Sequence, residues 1–481
     1  MSDLRGNVLQ LVAGAVTVAA VVAGVVYSPI VAAAGVAAVA IFMFALVKGH
    51  GAYRGVAVLG AIIASVVIPP LHTGVPGWFG MAAGAAWLIV FGLLSAGGGS
   101  RRDWGTYSVF ALLSVVGLAS TALIEPFPYV GLVMLFLLAV GFFSRGLRSR
   151  EWAIVRLGIV VVAVIEALLC VVEFIVFHGD PLDEKAGPHP VLAEFTRPEG
   201  TLGHPIVAGV AMLAGLSLVL ASTRRFRFKP TVIVVLLGGI FATGSSSVYI
   251  AALVGVLLQT VLTGRSGWRV VKGAAVAAVG TYLIFHENFL APLVDDVSGN
   301  NSTHRLNSIK AIPDLLTLRP VHEGLFGSGW GSEARNYQNG YIRNDYFFSV
   351  DNMFATSMMA AGVIGFALFC VLLLRAFARA DARGRILIVT LAVMLFSFDV
   401  LQWASSGSLM LVVLLNTQRR RPDSLNEVLE GNAASLQPIA VAAGLLQPAH
   451  AAPGTNGSLP HRRTGGALPE RPTGVHGSPV Q

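Results

Sequence analysis

The chain has 481 residues, of which 55% are hydrophobic and 12% charged, and its mean hydropathy is +0.73. Soluble globular proteins carry about 25% charged residues, so this composition excludes one and reads as a polytopic membrane protein. The formal net charge of +8 imitates a nucleic-acid binder, but most Lys and Arg fall in short turns between apolar segments, which is a topology signal and not DNA binding. Cys170 and Cys370 both lie inside apolar runs, which excludes a disulfide framework.

A spanning helix needs roughly 20 apolar residues. The predicted spans, about fourteen, are 7–27, 30–47, 55–71, 78–94, 107–124, 127–143, 154–177, 205–221, 230–244, 247–263, 270–286, 352–374, 385–399 and 402–416. The first is read as an uncleaved helix, because its apolar run is long and another follows at once. The ninth and thirteenth are short, and the pair around Gly244–Ser247 reads either as two helices or as one broken or re-entrant element.

Alternate connections hold Lys48 and Arg54, Arg101 and Arg102, the group from Arg145 to Arg150, that from Arg224 to Lys229, that from Arg265 to Lys272, that from Arg375 to Arg385, and Arg419 to Arg421. The short turns of the other set (28–29, 69–77, 125–128, 244–247 and 399–401) hold no Lys or Arg. The positive-inside rule makes the first set cytoplasmic, so both termini lie inside and the other set faces outward. The expected fold is all-α: a transmembrane bundle over 1–416 with two ordered extracytoplasmic loops, 178–204 and 287–351. Trp330, Tyr337, Tyr341, Tyr346, Phe347 and Phe348 make the second loop too aromatic for a disordered linker. Within it, Thr303–Leu318 carries Leu306, Ile309, Ile312, Leu315 and Leu316 at helical spacing, the pattern of an amphipathic helix lying at the membrane face. Residues 417–481, rich in Pro, Gly, Ala and Ser, read as a disordered cytoplasmic tail.

Short basic turns leave no room for a cytoplasmic nucleotide-binding fold, and no GxxxxGK[ST] sequence occurs, which excludes an ATP-driven pump. The chemistry is therefore expected outside or within the bundle. The first outer loop ends Arg197-Pro-Glu-Gly-Thr-Leu-Gly-His-Pro205. Gly200 and Gly203 permit tight turns, Pro205 suits a first helical turn, and Arg197 offers a planar fork that matches phosphate. The second loop contributes His304 and Arg305, then Leu325-Phe-Gly-Ser-Gly-Trp-Gly331, then Asp351 and Asn352 at the mouth of a helix, with Ala361-Gly-Val-Ile-Gly365 inside it.

Across about Arg197 to Arg375, the chain resembles the O-antigen ligase and O-antigen polymerase superfamily. That family shows an Arg before a Gly-x-x-Gly-x-Pro opening of a helix, an Arg early in a large outer loop, a Gly-x-Gly turn, and a His-Asn pair opening the next helix. The matches are Arg197, Arg305, Gly327 with Gly329, and Asp351 with Asn352, the Asp standing where the family usually has His. Ser245-Ser-Ser247 likewise stands where many members have Ser-Arg.

The resemblance implies transfer of a glycan from a polyprenyl-pyrophosphate carrier to an acceptor hydroxyl on a lipid, a glycan or a protein, at the outer face of the bacterial inner (cytoplasmic) membrane. It calls for no cofactor and no metal. Fixed cations that meet the departing pyrophosphate stabilise the transition state more than the ground state. Arg197 and Arg305 are the expected clamp, unless they pair with Glu194, Glu199, Asp295 or Asp296. Asp351 is the expected base or else a plain helix cap, with His204, His304 and His322 as alternative bases nearer pH 7. Gly200, Gly203, His204, His304, Gly327, Gly329 and Asn352 are the expected substrate-binding positions. Glu166 and Glu173 sit seven residues apart on one helix face, where carboxylates line a groove, relay protons or bond neighbouring helices. The rival readings are a transporter or flippase coupled through these two glutamates, and an inactive cell-envelope scaffold.

Overall fold

The computed structural model describes residues 53–67, 78–94, 104–124, 129–178, 189, 192, 194–222, 228–263, 311–342 and 350–417. The first two expected spans, the span 270–286, His304, Arg305 and the tail lie outside the described residues. The helices are α1 (Tyr53–Val67), α2 (Trp78–Leu94), α3 (Trp104–Ile124), α4 (Tyr129–Ser144), α5 (Ser149–Val176), α6 (Pro205–Ala221), α7 (Lys229–Ala242), α8 (Ser246–Thr263), the short α9 (Val321–Phe326) and α10 (Glu333–Gln338), then α11 (Met353–Arg379), α12 (Ala382–Met394) and α13 (Ala404–Asn416). Short 3₁₀ turns cover Gly200–Leu202 and Val400–Gln402.

Every regular element among the described residues is helical, as lipid demands: a helix satisfies its backbone groups internally where no water can. Among the described residues three helices are long and apolar enough to cross a membrane, Trp104–Thr121, Glu151–Val176 and Met353–Arg379, and shorter apolar helices accompany them. The chain is a helical membrane protein.

Local chemistry sets the helix starts. Glu151 accepts the Arg148 N–H at 2.7 Å at the head of α5. The Asp381 carboxylate accepts the Gly384 N–H at 2.6 Å at the head of α12. Pro205 stands at the first turn of α6, where its missing N–H costs nothing. Helix α6 is the hub: it is buried from Pro205 to Val219 and packs against α5, α7, α8, α12 and α13. Elsewhere α1 packs on α2, α3 on α11, and α4 on α13.

The helix ends that the charge pattern assigns to one face meet one another. At the basic end, Arg54 donates to the Arg145 carbonyl at 2.7 Å and the Phe143 carbonyl at 2.9 Å. The Arg145 guanidinium lies 3.5 Å from the Phe142 ring centroid and 3.9 Å from that of Trp104. The Leu147 N–H reaches Asn416 Oδ1 at 3.2 Å. At the opposite end, the Met353 N–H bonds the Leu395 carbonyl at 2.9 Å and the Trp330 N–H bonds Thr121 Oγ1 at 2.7 Å.

One open alternative is settled and one expectation changes. The segment around Gly244 is two helices joined by a turn, with Gly244 at φ +59°. And α11, expected to be uninterrupted, is broken at Gly362 (φ +66°, ψ −161°). Of the expected amphipathic stretch, only a helical segment over 311–317 is described. Its Ala311 and Leu315 face a small protein core with Ile342, Val350, Ala355 and Met359 rather than the membrane.

Candidate functional site

Polar side chains gather where the loop before α6, the α7–α8 turn, the start of α11 and the 398–403 turn come together. The glycine-rich turn of the first loop is held from below by α5. The Gly200 N–H donates to Glu173 Oε2 at 3.0 Å and the Thr201 N–H to Glu166 Oε2 at 3.1 Å, while the Thr201 hydroxyl donates to the other Glu166 oxygen. Gly200 has φ +60°, and a Cβ there would lie 2.5 Å from Glu166 Oε2. Glycine is thus required both for the backbone conformation and for close approach to the carboxylate. Gly203, at φ +66°, turns the chain into α6. One sequence reading had the two glutamates bonding neighbouring helices; the groups they bond here belong instead to the turn of the loop.

Arg197 donates from Nε to the Thr243 carbonyl at 3.2 Å, tying the first loop to the α7–α8 turn. The neighbouring Phe241 carbonyl accepts from the Tyr249 hydroxyl at 2.5 Å and lies 2.9 Å from His189 Nε2. His189 Nδ1 accepts the Leu192 N–H at 3.1 Å, so the ring proton sits on Nε2 and is donated to Phe241. Burial holds His189 below the ordinary histidine range, with the Arg197 charge acting the same way.

His204 caps α6, its Nδ1 accepting the Ile206 N–H at 3.2 Å. Its ring stacks near Phe398 (centroids 5.8 Å) and Trp403 (5.4 Å). Burial, then the Arg197 charge, pushes its pKa down to about 4. His204 is therefore a neutral ring presenting Nε2–H, a donor rather than a base.

At the mouth of α11 the cap is Asn352 and not Asp351. Asn352 Oδ1 accepts the N–H groups of Phe354 (3.0 Å) and Ala355 (3.1 Å), and its Nδ2 donates to the Phe396 carbonyl at 3.1 Å. Every polar atom of that buried amide is thus committed to structure. Asp351 stands just outside, half-buried, and is spared the capping role. Its charge acts on Asp399, a buried carboxyl in the 398–403 turn. Burial first, then Asp351 and Glu333, hold Asp399 well above the usual carboxylate range, against a hydrogen bond from Trp403. Glu333 in turn accepts from Gln402. Asp399 therefore keeps its proton to higher pH than an ordinary carboxyl, with burial as the main cause.

The sequence reading missed Asp399, which stands in a turn sorted by its lack of cations; counting acids as well would have found it. It also missed Arg319, which is buried. Arg319 donates to the carbonyls of Leu315 (2.7 Å), Met359 (3.1 Å) and Met358 (3.2 Å) and to Ser328 Oγ (3.0 Å). Burial lowers its pKa to about 10, so it is charged at neutral pH.

Gly327 and Gly329 thread this same place. The N–H of Gly327 goes to the Glu323 carbonyl at 2.8 Å, that of Ser328 to Met359 at 2.8 Å, and that of Gly329 to Ala360 at 2.9 Å. These amides are spent on protein carbonyls, so the turn offers none of them to a phosphate. It fills the break in α11 instead, because a helix interrupted at Gly362 leaves the carbonyls one turn earlier without their usual i+4 donors. Trp330, buried, packs beside Gly117 of α3.

His322 is exposed on α9. Among the described residues no three His, Cys, Asp or Glu side chains are grouped as a metal ion requires. The arrangement places Arg197, His189, His204, Trp403 and the buried Asp399 at one end of the bundle, with the His204 ring beside Trp403 and the Arg197 charge acting on both imidazoles. No curated protein matches the chain. Residues 231–370, which run from α7 through the large loop into α11, match the family model described as O-antigen ligase.

Proposed function

We propose that this chain transfers a glycan from a polyprenyl-pyrophosphate carrier to an acceptor hydroxyl at the outer face of a bacterial cytoplasmic membrane. The observation that carries this reading is the O-antigen ligase match over residues 231–370. Three features of the site support it: Arg197 is fixed to the α7–α8 turn, Asn352 rather than Asp351 caps α11, and a proton-holding Asp399 lies nearby.

In the proposed reaction the acceptor oxygen attacks the anomeric carbon, the bond from that carbon to the pyrophosphate oxygen breaks, and the acceptor proton passes to Asp351. The charge that gathers on the pyrophosphate is met by Arg197 and Arg305, while His204 offers Nε2–H as a further donor. Gly200 and Gly203 shape the turn that carries Arg197 and His204. Gly327, Gly329 and Asn352 serve by holding the large loop and the mouth of α11 in place. The bundle spans the membrane with its basic end inside and both termini cytoplasmic.

The transporter reading needs a helix break and intramembrane charges open to a solute. The break at Gly362 is occupied by the protein's own turn, and Glu166 and Glu173 are engaged by Gly200 and Thr201, so neither feature favours it. The test is transfer from a lipid-pyrophosphate glycan by purified protein. Arg197→Ala and Arg305→Ala are each expected to slow transfer about 10²-fold or more, the scale of losing one preorganised electrostatic group. Unchanged rates in both variants, with expression intact, remove the clamp.

A further inference from the structure

The segment from 311 to 326 in the large outer loop has its polarity turned inside out. Its charged residues point into the protein. Arg319 is buried with four hydrogen bonds, Glu323 is bonded by Ser328 at 2.6 Å and by Arg335 at 3.2 Å, and Asp314 is half-buried. Outward it presents Leu316, Leu318, Val321, Leu325 and Phe326, with Val321 79% exposed. Of the polar residues on this face, Thr317 already donates its hydroxyl to the Pro313 carbonyl at 2.9 Å, and His322 is exposed. A loop bathed in water would show the reverse distribution, because contiguous exposed apolar patches mark an interaction surface.

The position of the segment identifies what covers it. Its end is stitched to two membrane helices: Ser120 of α3 donates to the Phe326 carbonyl at 2.8 Å, and the Leu325 backbone lies against Gly362 of α11. The residue after Gly362, Val363, is exposed, as are Val371 and Leu374 further along α11 and Leu112 and Val115 on α3. The apolar face of the loop therefore continues the lipid-facing surface of α3 and α11.

Depth agrees. Arg375, exposed at the basic end, marks one edge of the hydrocarbon. Val363, the first residue after the break into which the loop tip fits, stands twelve residues earlier, roughly 18 Å up the helix at 1.5 Å per residue. In a hydrocarbon layer about 30 Å thick, the tip of the loop sits several ångströms beneath the outer edge. Non-helical backbone is tolerated there only when protein satisfies it, and here the Met359 and Ala360 carbonyls accept the Ser328 and Gly329 N–H groups.

We infer that residues 311–326 form a re-entrant element whose apolar face is embedded among the acyl chains of the outer leaflet. The large loop is thus an aqueous domain at α10 and a membrane-embedded one at α9. This inference rests on the membrane character of the chain and not on the proposed reaction.

Spin labels test it on full-length protein in phosphatidylcholine nanodiscs, with both native cysteines replaced by Ser and single cysteines placed at Leu318, Val321, Ala334 or Asn339. Collision with oxygen, which partitions into lipid, is compared with collision with a water-soluble nickel chelate. Labels at 318 and 321 are expected to favour oxygen to the same degree as a reference label at Leu374. Labels at 334 and 339, both exposed on or just after α10, are expected to favour nickel. Nickel access at 318 and 321 equal to that at 339 overturns the inference. So does shielding from both reagents, which would mean that another part of the chain or a second copy covers the face. A label at Leu316, exposed on the same face, repeats the measurement if either variant fails to fold.

Discussion

Replacing Gly327 by Ala separates two roles for this glycine, one in packing and one in substrate binding. Gly327 has φ +83°, and a Cβ there would lie 2.3 Å from the backbone of Ala360 and Ala361. With ψ 175° this is a region that is essentially glycine-only, and the conformational part of the cost for an L-residue is about 1–3 kcal/mol. The steric part falls against backbone rather than the end of a flexible side chain, so the loop itself must move; overpacking of this kind costs about 1–3 kcal/mol. Gly327→Ala should therefore destabilise the fold by about 2–6 kcal/mol, a large share of a net stability of about 5–15 kcal/mol. Gly340 supplies the control, because it too has positive φ (+71°) but nothing lies within 4 Å of its Cβ position, so Gly340→Ala should lose only the conformational part. Reversible unfolding in mixed detergent micelles, read by tryptophan fluorescence, measures both. Equal losses in the two variants refute the packing argument. A stable Gly327→Ala protein with a raised substrate KM would return this glycine to the binding site.

Glu166→Leu removes the acceptor of the Thr201 N–H and leaves a buried donor unpaired, at a cost of about 1–3 kcal/mol; hydrogen exchange at Gly200 and Thr201 should speed up, and unchanged protection there counts against the cradle. Asn352→Ala should cost about 1–2 kcal/mol through loss of the cap. Asn352→Asp, which keeps the accepting oxygen but not the N–H donated to Phe396, should fall between the wild type and Ala; an Asp variant no better than Ala would remove the cap from the account. Because His204 is held near pKa 4 in the folded protein and near 6.5 when unfolded, its contribution is full above pH 6.5 and is lost as pH falls toward 4, by up to about 3 kcal/mol. Asp399, whose folded pKa is raised, acts oppositely, losing stability as pH rises from about 3.8. The readout is therefore the difference between wild type and His204→Asn, which keeps a capping oxygen; a difference that stays flat from pH 7 to 4 contradicts the buried neutral ring.

The alternating charges carried much of the architecture, because lipid leaves a helix only two ends and cations favour one side. Arg54, Arg145 and Lys229, sorted together by sequence, do lie at the ends of helices whose other ends carry the glycine turns and the acids. The break in α11 was not legible. Gly362 sits in an apolar run with helical spacing on both sides, and glycine is common inside membrane helices. What compensates for the break, Arg319 and the 327–329 turn, lies more than thirty residues away in the sequence. The same distance problem misled the reading of the Gly327 and Gly329 turn. Two glycines around a small residue look alike whether they embrace a phosphate or a backbone, and only the destination of the amide protons separates the two. Asp351 and Asn352 differ for a local reason: the first residue of a helix cannot be fixed to better than a position or two from sequence, and that one position decides which side chain is consumed by capping.

The break at Gly362 also constrains how the protein is made. Arg319 and the 327–329 turn, which satisfy Met358, Met359 and Ala360, precede α11 in the chain, so they are synthesised before it. Until the turn returns to its slot, carbonyls of a half-inserted helix face hydrocarbon at a cost of several kcal/mol each. Helix α11 and the loop before it must therefore reach their places as one cooperative step late in biogenesis. A lesion in that loop should show first as failed insertion, with the downstream helices α12 and α13 left without a partner, before any catalytic defect can be measured.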